Sequence, residues 1–415
     1  MCFHLRYLSA LLSICYFLVF ATGSSQASQQ YTILGQKAMT VSLPGGLAGL
    51  LKPNESVYTA DPYGLGASFS LLVVLDTGAS GCLLSATDAG SDGLNIPIIS
   101  GETYNDVGIG GTETFNISQS TGLILAPIGI MASYDYTGPD PSEDLANYSP
   151  YGSYKFQIRQ SDPTYAGLYP LNMNLVGTPV LNQHVMHVTP NSSGYTSMIP
   201  TVDYLVTELL PEIPKNLPST GVFKIGLTYE NFVKDTTSVS TSTNPTIKNV
   251  KLNLGEKEIT STWLFDTGGS VTMIGRDMAA SLGIDLNSDP VTTTTVIGVG
   301  NTERTLFGYN VDSLTVPLTN GDDLVFKNIV VFVPEEGALP ADLTGIFGMN
   351  LLNQTFPDSN DIYSMTDSPF SDWYVDPFNN ELVLVLAVPE PATFVMLFVG
   401  GTLFLLWRIV RHRIV

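Results

Sequence analysis

Two short apolar runs end in the same acidic turn: "LLVVLDTGAS" (Leu71–Ser80) and "TWLFDTGGS" (Thr262–Ser270). The residues able to do chemistry are Asp76 and Asp266. One carboxylate after a strand is an ordinary turn residue, but two in matching contexts form a candidate acid/base pair. If the segments pack about an approximate twofold axis, the carboxylates meet, cannot both ionise cheaply and share one proton. The ionised acid then takes a proton from water while the protonated one donates to a carbonyl oxygen, which is the chemistry of amide hydrolysis. The neighbours suit that task. Gly78 and Gly268 let the backbone turn sharply and bring N–H groups to the carboxylate. Thr77 and Thr267 have short hydroxyls that can reach across the axis. Leu75 and Phe265 keep the floor apolar.

Elements must position these residues, and an internal repeat supplies them. Gly108 follows Asp76 by 32 residues, and Gly298 follows Asp266 by 32. From there "GIGGTETF" parallels "GVGNTERTLF", with Thr112-Glu113 and Thr302-Glu303 at the same offset. Further on, "NLVGTPVLNQ" (Asn174–Gln183) parallels "GIFGMNLLNQ" (Gly345–Gln354), two apolar residues preceding Gly177 in one and Gly348 in the other. Three blocks in one order describe a duplicated half. Short apolar or alternating runs bounded by Gly, Pro, Asn and Asp, such as "SFSLLVVL", "TIKNVKLNL" and "ELVLVLAV", predict β-structure. Two helices are expected, over "RDMAASLGI", closed by Gly283, and over "VDYLVTELL" before Pro211. The Ser/Thr tract within Asp235–Thr246 predicts an exposed linker or long loop at the lobe junction.

On these residues the chain resembles bilobal aspartic peptidases of the pepsin/retropepsin-like fold, over roughly Ser68 to Val385. Such enzymes are a general example of two acids sharing one proton. The resemblance implies a mostly β, two-lobed, pepsin-like double-β-barrel with few short helices, acting on polypeptide without a cofactor or metal. It matches Asp76 and Asp266 to catalytic aspartates, Thr77 and Thr267 to cross-braced threonines, and Gly177 and Gly348 to a glycine motif beneath each aspartate. "DVGIGGTETF" is similar to the glycine-rich flap of retroviral proteases, which makes Gly108, Ile109, Gly110 and Gly111 the flap candidates. Pepsin-like sites often carry Ser after Asp-Thr-Gly, whereas Ala79 and Gly269 stand here. Neither offers a hydroxyl, so the pair should titrate higher and work best at weakly acidic to near-neutral pH. A catalytically inactive peptide-binding or biofilm-matrix surface protein is the competing reading.

Composition narrows the rest. A formal charge of −21 with only 17 Lys and Arg excludes a nucleic-acid surface. Cys2 and Cys15 lie in the leader, so Cys82 reads as a small buried hydrophobe without a disulfide partner. His184 and His187 in "HVMH" lack a third metal ligand nearby. Residues 1–27 are laid out as a secretory signal peptide, with an apolar run from Leu8 to Phe20 and small residues at Ser25-Gln26-Ala27. At the other end Val388-Pro389-Glu390-Pro391, an apolar stretch and Arg408, Arg411 and Arg413 resemble a PEP-CTERM sorting signal. That resemblance implies exosortase-type sorting machinery as a partner. The expected organisation is a leader (1–27), a first lobe (28–235), a linker (236–246), a second lobe (247–387) and a sorting tail (388–415). A transmembrane helix over 392–410 would hold the body extracytoplasmic before processing.

Overall fold

The computed structural model describes residues 29–34, 40–41, 43–51, 71–91, 93–126, 149–162, 174–195, 204–233, 238–298, 303–340, 343–353, 355–356 and 367–387. Strands dominate, and the helices are short, as at Ala86–Ala89, Thr178–Leu181 and Arg276–Leu282. Among the described residues no helix is long and apolar enough to cross a membrane. The expected leader and the expected span 392–410 lie outside the described residues.

Each half repeats one construction around its acidic turn. In the first, the strand Leu71–Leu75 runs into Asp76, pairing parallel with Asn174–Val176 and antiparallel with Leu43–Leu51. In the second, Lys257–Phe265 runs into Asp266, pairing parallel with Gly345–Phe347 and antiparallel with Asn244–Leu254. These strands read as apolar runs because both faces are covered: Val73, Val74 and Leu75 are all buried, and so are Trp263, Leu264 and Phe265. After each turn come a two-residue strand (Leu83–Leu84, Met273–Ile274) and a short helix. A hairpin follows, of Ile98–Gly108 with Gly111–Ser118 in the first half and Thr292–Ile297 with Glu303–Pro317 in the second.

A sheet drawn from both halves joins them. Val185–Tyr195 pairs with Tyr204–Leu210 and also with Phe370–Asp376, while Val222–Glu230 pairs with Glu381–Leu386. The N-terminal strand Gln30–Leu34 pairs parallel with Asp323–Lys327 in the second half. Trp373 lies buried in this sheet, its ring edge-on to Phe265 at 6.3 Å, which ties the joining sheet to the floor of the second acidic turn.

One expected helix forms and the other does not. Arg276–Leu282 is helical and ends at Gly283, whose φ of 82° is the left-handed conformation glycine adopts without strain. "VDYLVTELL", expected to be helical, instead holds the strand Tyr204–Leu210. Leu205 and Thr207 face inward and Glu208 outward, an alternation of period two, and ladders to the flanking strands override local propensity. The exposed linker also needs correction. Within its described residues Val239 and Asn244 are buried, and Thr241 bridges to Gly81.

His187 sets a pH dependence on the joining sheet. Its Nε2 lies 2.9 Å from Asp372 and its Nδ1 3.4 Å from Glu208, and its ring stacks on Tyr374. Burial pulls His187 down, but the two carboxylates outweigh it and leave the imidazole above its ordinary 6.5. The hydrogen bond from His187 in turn holds Asp372 below its ordinary range. A raised imidazole contributes stability that is fully present below 6.5 and lost as pH rises through its folded value. A lowered carboxylate contributes stability that is lost as pH falls through its own folded value. Thermal melts across pH should therefore show a decline on the alkaline side that flattens in His187→Gln. An unchanged decline in that variant contradicts the assignment.

Candidate active site

The two acidic turns face each other. A methyl group built on Gly78 would lie 2.5 Å from Asp266 Cγ, and one on Gly268 would lie 2.4 Å from Asp76 Cγ. Only glycine permits that approach. The carboxylates lie close enough to perturb one another. Asp76 Oδ1 accepts from the Gly78 and Ala79 N–H groups at 2.7 and 3.1 Å, and Asp266 Oδ1 accepts from Gly268 and Gly269 at 2.9 and 3.0 Å.

Beneath them the threonines close a reciprocal ring. Thr77 Oγ1 donates to the Phe265 carbonyl at 2.7 Å and accepts from the Thr267 N–H at 3.1 Å. Thr267 Oγ1 donates to the Leu75 carbonyl at 2.6 Å and accepts from the Thr77 N–H at 2.9 Å. Four polar groups that would otherwise be stranded in a dry interior are thereby satisfied.

Gly177 and Gly348 sit where the parallel strand passes under each turn. The Asp76 N–H donates to the Val176 carbonyl at 3.0 Å, and the Asp266 N–H to the Phe347 carbonyl at 3.2 Å. A Cβ on Gly177 would lie 2.0 Å from the Gly81 carbonyl oxygen, and one on Gly348 would lie 2.2 Å from that of Val271. The downstream glycines thus let backbone pack on backbone.

Gly108 to Gly111 form the tip of the first hairpin. Gly110 and Gly111 take φ of 94° and 118°, which strains any other residue. The tip bridges to the second half: the Gly110 N–H donates to the Ala338 carbonyl and the Arg304 guanidinium donates to the Gly110 carbonyl, each at 3.1 Å. Gly298, the repeat partner of Gly108, receives the Ile109 carbonyl so closely that a Cβ there would lie 2.0 Å away.

Asn244 was not foreseen. Fully buried, it donates to the Thr77 and Gly78 carbonyls at 2.9 and 3.0 Å and accepts from the Ser80 hydroxyl at 2.6 Å. It clamps the first turn from 167 residues away, within a Ser/Thr tract that carries no local signal of burial.

Electrostatics follow from burial. Desolvation raises Asp76, against the hydrogen bonds from Asp266 and the turn amides. Desolvation and the charge of Asp76 raise Asp266 well above its ordinary 3.8. Both members are raised, so the two acids titrate as a pair that holds one proton between them. Cys82 is inaccessible, its thiol pushed up to about 12 by burial, so it is no nucleophile at neutral pH. His184 packs edge-on to Tyr151 and His187 sits on a strand, so "HVMH" does not present its imidazoles along a helix. Among the described residues no group of three or more His, Cys, Asp or Glu is gathered to hold a metal.

Residues 249–351, which include Asp266 and Gly348, match the family model described as aspartyl protease. No curated protein matches. Similar solved structures include a retropepsin-like aspartic protease from Rickettsia conorii, with 18% identity over 41% of this chain and 94% of that one, at a TM-score of 0.23. Basic 7S globulin from soybean is similar at 10% identity over 83% of this chain and 95% of that one, with a TM-score of 0.38.

Proposed function

We propose that the chain is an exported aspartic endopeptidase that hydrolyses peptide bonds through Asp76 and Asp266. The observation carrying this reading is the meeting of the two carboxylates, each fitted against a glycine of the opposite turn. The ionised member of the Asp76/Asp266 pair accepts a proton from the attacking water, and the protonated member donates its proton to the substrate carbonyl oxygen as the tetrahedral centre forms. The donor and acceptor then exchange roles as the amine leaves. Thr77, Thr267, Gly177, Gly348 and Asn244 act by holding the two turns in place. The tip at Gly108, Ile109, Gly110 and Gly111 closes over bound peptide and excludes water. Export through the leader, exosortase-type sorting of the tail and residence at the cell surface complete the proposal.

Hydrolysis of an unfolded protein by the purified chain, blocked by a statine-type transition-state mimic, tests it. Tight binding of the mimic without any hydrolysis would instead identify a peptide-binding protein.

Because burial raises both acids, the charge of Asp76 raises Asp266 further, and neither Ala79 nor Gly269 adds a hydroxyl donor, the pair takes up charge above the ordinary 3.8. The pH–rate profile should peak at weakly acidic to near-neutral pH. Ala79→Ser, which adds a donor to the ionised form, should move its acidic limb downward. A wild-type peak at strongly acidic pH contradicts this expectation.

A further inference from the structure

We infer that the first-half wall of the cleft is a cation-binding subsite, in which Asp106, backed by Glu113, receives a Lys or Arg side chain flanking the scissile bond. The inference rests on the peptidase reading for the identity of its ligand and on the following geometry for its chemistry. In the first hairpin, Tyr104 pairs with Phe115, Asp106 with Glu113 and Gly108 with Gly111. Side chains two residues apart share a face, so these pairs line one face from base to tip. Tyr104 and Phe115 are buried in the first-half core, and the opposite face, with Asn105, Val107, Thr112 and Thr114, is exposed. Asp106 and Glu113 therefore occupy the inner face, between that core and the tip that bridges the halves.

Beside Asp106 lies the amide of Gln157, a buried residue. The same amide nitrogen would lie 2.6 Å from a Cβ on Gly81, so one side chain joins the hairpin to the loop following Asp76. Asp106 is close enough to Asp76 for the two charges to repel.

The wall's cation is already committed. Arg159, buried under the Phe115 ring, is paired with Glu113 at 2.7 Å. Two carboxylates against one guanidinium leave a net negative charge, and Asp106 is its uncancelled member. The other half differs. The repeat partner of Asp106 is Val296, which packs against the buried apolar cluster that includes Leu264, Leu306 and Ile346. The first hairpin thus pairs two carboxylates, Asp106 with Glu113, where the second pairs Val296 with Arg304. With a chain charge of −21, cationic peptides also gain in encounter rate.

Paired statine-containing peptides, identical except for Lys or norleucine at each flanking position, measure the subsite by calorimetry. At about pH 8.5, well above both wall carboxylates, the Lys peptide should bind about tenfold or more tighter at one position, as a charge-assisted contact in a partly desolvated site requires. Burial pushes Asp106 up to about 6, and pushes Glu113 up to about 7 against the pull of Arg159. The Lys preference of the wild type should therefore fade as pH falls through those values. In Asp106→Asn the Lys/norleucine ratio should drop towards one, whereas a merely structural change would weaken both peptides alike and keep the ratio. A wild-type ratio of one at every position, failure of the Lys peptide to bind, or an unchanged ratio in Asp106→Asn overturns the subsite. A retained Lys preference without cleavage of the corresponding amide peptides overturns the peptidase reading alone.

Discussion

Replacing either Asp76 or Asp266 by Asn should lower kcat/KM on an unfolded protein substrate by about a thousandfold or more, since acid–base catalysis of this kind supplies about 10²–10⁴ and both roles are lost together. An Asn side chain has nearly the same shape, and its carbonyl oxygen can still accept the Gly78 and Ala79 or the Gly268 and Gly269 N–H groups, so the turn itself should survive. What disappears is the single proton shared by two acids. Either substitution removes the pair, so the double variant should be scarcely slower than the single ones, a non-additivity expected of groups that act as one unit. Stability should move the other way. Two buried acids with raised values cost free energy when ionised, so at neutral pH each Asn variant should melt at or above the wild-type temperature. Either variant retaining a tenth of wild-type hydrolysis would contradict the mechanism.

Thr77→Val and Thr267→Val should each cost about 2–6 kcal/mol of unfolding free energy, because each strands one N–H and one carbonyl at about 1–3 kcal/mol per group. Both hydroxyls are buried, and each satisfies one donor and one acceptor of the opposite half. Water cannot replace them without opening the junction of the halves. Set against a total of about 5–15 kcal/mol for a typical domain, the loss is large. Thr→Ser at the same positions keeps the hydroxyl and should cost far less, which separates the hydrogen bonds from the methyl packing. The ring joins the two residues directly, so Thr77→Val with Thr267→Val should destabilise by less than the sum of the single changes. Urea unfolding of the five variants measures this. A loss below about 1 kcal/mol in both Val variants would show that the ring contributes little.

The centre of the molecule was legible in the sequence because repetition exposes it. The two Asp-Thr-Gly turns, the glycines at 108 and 298, and the apolar-apolar-Gly blocks each recur at matching offsets, and repeats of this kind survive without any local preference being strong. Gly177 and Gly348 are legible for the same reason, and the contact each makes with a carbonyl of its own turn accounts for the residue type. Legibility ends where tertiary context decides. The run "VDYLVTELL" has enough Leu and Val spacing to suggest a helix, yet strands on both sides claim its backbone. The tract ending in Asn244 is rich in Ser and Thr and looks solvated, but its last residues pass beneath the first acidic turn, where a buried amide matches two carbonyls. Asp106 gives no signal in isolation. Its meaning comes from the hairpin register and from a glutamine 51 residues further on.

Titration of the carboxyl groups in protein labelled with carbon-13 at its aspartates tests the shared proton most directly, comparing wild type with Asp76→Asn. Part of the upward displacement of Asp266 comes from the charge of Asp76, so removing that charge should bring the Asp266 midpoint down, while burial keeps it above 3.8. An Asp266 titration that is the same with and without a carboxylate at position 76 would mean that the two acids do not share a proton, and the proposed chemistry would fall with it.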